Sequence, residues 1–104
     1  MKIYDFKNGI SHDNGEWFYQ VSFWFETDNG KAAETWRASL GNVAPYEKDA
    51  NKKLYHSLDN GINDIVGIKS FNDNTDVLEC DLVSLTCFLW DNNFECTDSK
   101  NWNN

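Results

Sequence analysis

Residues 16–30 read EWFYQVSFWFETDNG, and six of the nine positions from Trp17 to Phe25 are aromatic. An extended strand sends alternate side chains to opposite faces. Trp17, Tyr19, Val21, Phe23 and Phe25 therefore share one face, while Phe18, Gln20, Ser22 and Trp24 share the other. The first face has the composition of a core. The second sets two large rings among polar residues, so a second layer or another molecule is expected over it. The stretch ends in Asp28-Asn29-Gly30-Lys31. Asn-Gly favours a two-residue hairpin turn, because both residues adopt positive φ at little cost. Counting back from that turn sets Thr27 opposite Ala32 and Phe23 opposite Trp36. KAAETWRASL (31–40) then becomes the partner strand, with Trp36 on the ring-rich face. A helix over 31–40 is the competing reading, since Ala33, Trp36 and Leu40 fall on one helical side.

Working outward, KIYDFK (2–7) reads as a short strand, and NGISHDNG (8–15), with its two Asn-Gly pairs, as a loop. APYEKDANKKLYHSLDNG (44–61) has helical character. Pro45 suits a first turn, Glu47 and Asp49 lie near the positive end of the dipole, and Gly61 supplies a left-handed cap. Tyr46, Ala50, Leu54 and Leu58 make its apolar stripe, which predicts a helix over about 45–59 lying on the sheet. IVGIKSF (65–71) reads as a strand and NDNTD (72–76) as a turn. VLECDLVSLTCFLW (77–90) reads as a strand buried on both faces in its second half, with a last short strand at 94–96. TDSKNWNN (97–104) shows no pattern. These pieces predict an α+β domain over 1–97: one curved antiparallel sheet of about five or six strands, one main helix on a face, and a frayed tail over 98–104.

Length and charge limit the function. A chain of 104 residues is one domain. The opening MKIYDFKNGI lacks the uninterrupted apolar stretch of a signal peptide, and no segment approaches the ~20 apolar residues of a membrane span, so a cytoplasmic address is expected. Cys80, Cys87 and Cys96 have no CxxC spacing and read as reduced, apolar fillers. Seventeen acidic residues oppose nine basic ones, a net charge of minus eight. Such a field repels nucleic acid and anionic membrane and speeds encounter with a basic partner.

Catalytic signals are sparse. His12 and His56 are the two histidines. His12 sits in SHDNGE beside two carboxylates, a weak metal-ligand pattern, and His56 lies off the apolar stripe of its helix. NDNTDVLE lacks the alternating oxygens, Gly and distant Glu of a calcium loop. There is no phosphate-binding Gly-rich loop and no GxSxG. Neither an enzyme activity nor a cofactor is expected.

Small size, acidity, no catalytic motif and rings beyond the need of one sheet face point to a protein that binds and blocks a basic partner. In these features the chain resembles the small acidic immunity proteins that protect bacteria from contact-dependent or polymorphic toxins. The resemblance is one of size, charge and class, without a signature motif. It implies a non-catalytic inhibitor that neutralises a basic nuclease domain, with aromatic anchors at the centre of the interface and carboxylates standing in for phosphates. The residues best placed for this are Asp13, Glu16, Glu26, Asp28, Asp73, Asp76 and Asp91, with Phe18 and Trp24 as anchors. Two other readings use the same features. A phage-encoded inhibitor of a defence nuclease needs a focused acidic patch. A carbohydrate-binding module uses Trp24 and Trp90 as parallel platforms on one flat face, with the fourteen asparagines as hydrogen-bonding neighbours.

Overall fold

The computed structural model describes residues 2–45, 49–66 and 77–102, with side chains over 3–45, 52–66 and 80–99. Its elements are β1 (Lys2–Asp13), β2 (Glu16–Thr27), β3 (Gly30–Gly41), α1 (Asp49–Val66), β4 (Val77–Glu79), α2 (Leu82–Asp91) and β5 (Glu95–Trp102). One antiparallel sheet has the order β4-β1-β2-β3-β5, with four long strands and a three-residue β4. The α+β class and the antiparallel sheet follow the sequence reading. Two helices, not one, cover it.

The first turn is tighter than the sequence suggests. Residues 8–13 continue β1 as strand, and only Asn14 and Gly15 turn, with Asp13 opposite Glu16. Both turn residues have positive φ, 51° and 80°, so this Asn-Gly pair makes the primed turn expected at the second hairpin. There, Thr27 pairs with Gly30 and Asp28-Asn29 form the turn. Gly30 alone carries the positive φ, 120°. The Thr27 hydroxyl donates to the Gly30 carbonyl at 2.9 Å and accepts from the Asn29 N–H at 3.2 Å, which holds the shorter register. Val21 therefore faces Trp36, and Phe23 faces Glu34. The slip of two preserves the face of every side chain, so Trp36 still enters the core.

A bulge in β1 matters equally. Asp5 takes φ 50°, and the β1–β2 register shifts between Tyr4 and Lys7. The extra residue lets Ile3 and Phe6 both reach the core face, with Phe6 6.5 Å from Phe23 between centroids. That face buries Ile3, Tyr19, Val21, Phe23, Phe25, Ala32, Trp36, Ala38 and Leu40.

α1 runs past the expected boundary to Val66, so Gly61 lies inside the helix and Ile65 and Val66, expected in a strand, are its last residues. The buried stripe is Leu58, Ile62 and Val66, with Tyr55 half-buried, whereas Leu54 is 46% exposed. Tyr46 and residues 67–76 lie outside the described residues, as does the side chain of Ala50. Gly61 allows a close approach to the second helix: a Cβ there would stand 2.5 Å from Cε2 of Phe88.

Residues 82–91 overturn the expected buried strand. Asp81 caps α2, accepting from the Val83 N–H at 3.0 Å and the Ser84 hydroxyl at 2.8 Å. Leu82, Leu85, Phe88 and Leu89 then recur at helical spacing and pack into the core cluster. The helix closes with Asn93 at φ 66°, the Asn93 N–H on the Trp90 carbonyl at 3.1 Å and the Phe94 N–H on the Leu89 carbonyl at 2.9 Å. This left-handed C-terminal motif drives Phe94 inward against Tyr19, at 5.7 Å and 84°. The chain beyond is strand through Trp102 rather than a frayed tail, paired along β3 from Arg37–Glu95 to Lys31–Trp102.

Candidate functional site

Both helices join the core cluster on the ring-rich face, and among the described residues no element covers the other face of the sheet. Five of the expected contact residues meet there: Asp13, Glu16, Phe18, Trp24 and Glu26, with Asp28 in the adjoining turn. Asp91 lies apart at the end of α2. Asp73 and Asp76 fall outside the described residues.

The open face has two aromatic centres, near opposite ends of β2. At one, Tyr4 stacks on Trp24 at 4.1 Å and 12°, and the Lys31 ammonium lies 4.9 Å from the Trp24 centroid. At the other, the Arg37 guanidinium lies 5.1 Å from the Phe18 centroid, donates Nε–H to the Gln20 amide oxygen at 2.8 Å and reaches Asp13 at 3.7 Å. Ser39 hydrogen-bonds Glu16 beside it. Both anchor rings are half-buried, each with a cation over it. Ser11, opposite Phe18, has a screened hydroxyl oxygen with no hydrogen-bond partner among the described residues. Tyr4, Lys31 and Arg37 are the members the sequence did not reveal. Cross-strand register shows Tyr4, but it becomes countable only once the Asp5 bulge is known.

The sites suggested for chemistry do not assemble one. His12 stacks on Trp17 at 4.2 Å and 12° at the end of the first hairpin, and His56 is exposed on α1. Among the described residues no group of three His, Cys, Asp or Glu is placed to hold a metal. Cys80 precedes α2, half-buried, and burial raises its thiol pKa. Cys87 and Cys96 are exposed rather than buried fillers, and burial of its sulfur followed by the Glu34 charge raises the Cys96 thiol pKa.

One polar network lies under α1. Asn8 donates to the Tyr19 hydroxyl and to Asp59, both at 2.8 Å, and the Tyr19 hydroxyl donates to Asp59 at 3.0 Å. Burial raises the Tyr19 pKa well above its ordinary value. The network ties β1, β2 and α1 together. Its constituents are accounted for by that structural role.

α2 offers a second surface. Val83 and Trp90 are 68% and 69% exposed, and Cys87 is exposed between them. These three recur at i, i+4 and i+7, opposite the buried Leu85 and Leu89. Among the described residues no helix is long and apolar enough to cross a membrane.

No family model, no curated protein and no solved structure matches the chain. The functional reading therefore rests on the surfaces themselves.

Proposed function

We propose that the protein is a non-catalytic inhibitor that binds a basic protein through the open face of its sheet, in the manner of a toxin-neutralising immunity protein acting in the cytoplasm. The observation that carries this reading is the placement of Asp13, Glu16, Phe18, Trp24 and Glu26 on one sheet face that no described helix covers. Half-buried rings near either end, with carboxylates beyond them, have the anatomy of an anchored interface with a charged rim. A net charge of minus eight adds long-range attraction for a basic partner, here a nuclease domain. Lys31 and Arg37 lie over the rings, and Arg37 also pairs with Asp13, so Glu16 and Glu26 are the carboxylates of this face offered to the partner. A phage-encoded inhibitor uses the same physics with a different owner. The sugar-platform alternative loses its geometry, because Trp24 belongs to the sheet and Trp90 to α2, and Tyr4 already stacks on the Trp24 ring.

The test is capture of the tagged protein's partner from host lysate at low and moderate salt, followed by repetition with Glu16→Lys and Glu26→Lys together. A stoichiometric basic nuclease, held at least about tenfold less tightly by the double variant at unchanged melting temperature, supports the reading. Retention of no basic protein refutes the inhibitor role. Equal retention by the variant refutes the sheet face as its site.

A further inference from the structure

An amphipathic helix on a sheet ordinarily presents a polar outer side. α2 does not. Its inner side buries Leu85 and Leu89, while its outer side carries Val83, Cys87 and Trp90, with Val83 and Trp90 more than two-thirds exposed. A helix apolar on both sides reads as one that is covered on both sides. Below Trp90, a depression lined by Asn93, Phe94 and Glu95 continues the stripe towards β5.

Charge indicates the occupant. Asp81 stands at the N-terminal end of the stripe, and Asp91 and Glu95 at the other. All three are exposed. From residue 70 to residue 99 the sequence holds seven acidic residues and no Lys or Arg. A second copy would bring like charges together at both ends of the stripe, which opposes self-association. We infer that the outer stripe of α2 is a docking surface for a basic amphipathic segment of a partner protein, whose apolar side chains seat on Val83, Cys87 and Trp90 while its Lys or Arg residues meet Asp81, Asp91 and Glu95. Helical spacing of the stripe suits a helical segment laid alongside it. This surface lies on the helical layer, away from the open sheet face, and does not depend on that face being an interface.

The experiment uses the full chain labelled with ¹⁵N and two synthetic helical peptides, one with a Leu stripe flanked by Lys and one with the same stripe flanked by Glu. Amide and indole resonances are followed during titration at low and moderate salt, the Trp90 indole being assigned by its loss in Trp90→Ala. The expected result is saturable binding of the Lys peptide, centred on Val83 and Trp90 and weakened by salt. Val83→Ser with Trp90→Ala should weaken it at least about tenfold, the scale of losing a central anchor. Both substitutions are at exposed positions, and Asp91→Lys with Glu95→Lys gives an independent variant that keeps the stripe and should weaken the same peptide. Three results overturn the inference: equal binding of the Glu peptide, unchanged binding by either double variant, or a Trp90-dependent dimer of the free chain in sedimentation. None of them bears on the sheet face, which is read separately through Glu16 and Glu26.

Discussion

Replacing Gly61 with Ala sets two effects of known sign against each other. In a helix interior the change ordinarily stabilises by about 1 kcal/mol, because Gly loses more backbone freedom on folding. Here the added Cβ would lie 2.5 Å from Cε2 and 2.7 Å from Cζ of Phe88. Ordinary contact requires about 3.5 Å or more, so the ring or one helix must retreat by about 1 Å. Overpacking of this kind costs about 1–3 kcal/mol. The clash should win, and Gly61→Ala should lose about 1 kcal/mol net, a fall of about 4–8 °C in melting temperature for a domain of this size. Shortening the opposing side chain should reverse the sign. In a Phe88→Leu background the same Ala should be neutral or stabilise by up to about 1 kcal/mol. Urea unfolding of the four proteins of this cycle, followed by circular dichroism, measures the coupling. If Gly61→Ala stabilises the parent by its full helix propensity, α1 and α2 do not pack at the distance described, and the account of Gly61 as the point of close approach is wrong.

Tyr19 supplies a prediction in pH. Its folded pKa is raised by burial, so on alkaline titration the unfolded chain loses this proton first, from about pH 10, and stability should fall above that pH. Denaturant titrations between pH 9 and 11.5 should show a shallower alkaline loss in Tyr19→Phe, and an identical slope would contradict the buried hydroxyl. At α2, hydrogen bonds from Ser84 and then Val83 hold the Asp81 carboxyl below the usual carboxylate range. Its contribution is present above the unfolded carboxylate pKa and is lost as pH falls through the lower folded value. Asp81→Ala should lower the melting temperature at pH 7 and have little effect near pH 2, whereas equal effects at both would show that the cap acts sterically.

Periodicity showed β2 correctly, because across the nine positions from Trp17 to Phe25 one parity is wholly apolar and the other mixes two rings with Gln20 and Ser22. The same alternation misled at 77–90. There, Leu, Val, Cys and Phe occupy both parities, so a two-sided strand and a buried helix look alike. The distinguishing signals were short and local: Asp81 with Ser84 three residues on, and Asn93 before an apolar Phe94. The second hairpin shows a different limit. Asn-Gly occurs at both turns, yet only the first uses it in the primed conformation, because the Thr27 hydroxyl competes at the second. The strand expected at 94–96 is present, but the extension of β5 to Trp102 was hidden for another reason. Glu95, Thr97, Asp98 and Ser99 bear no apolar alternation, and backbone pairing with β3 makes them a strand. For the candidate surfaces, alternation placed Phe18 and Trp24 on a common face, whereas the cations over them depend on cross-strand register. The outer stripe of α2 was concealed by the strand reading itself.

The pairing of β5 with β3 also orders events in time. β1, β2 and β3 are joined by two-residue turns and can zip locally as soon as they emerge. Their outer edge, in contrast, waits for residues sixty-two positions away, the separation at which Thr97 meets Thr35. Loop closure over that span makes β5 a late addition during synthesis. Until residues 95–102 leave the ribosome, β3 presents a row of unpaired amides and carbonyls beside Trp36, a template for any neighbouring chain. β5, whose second half reads as a tail in the sequence, thus acts as the fold's built-in guard against pairing with its own copies.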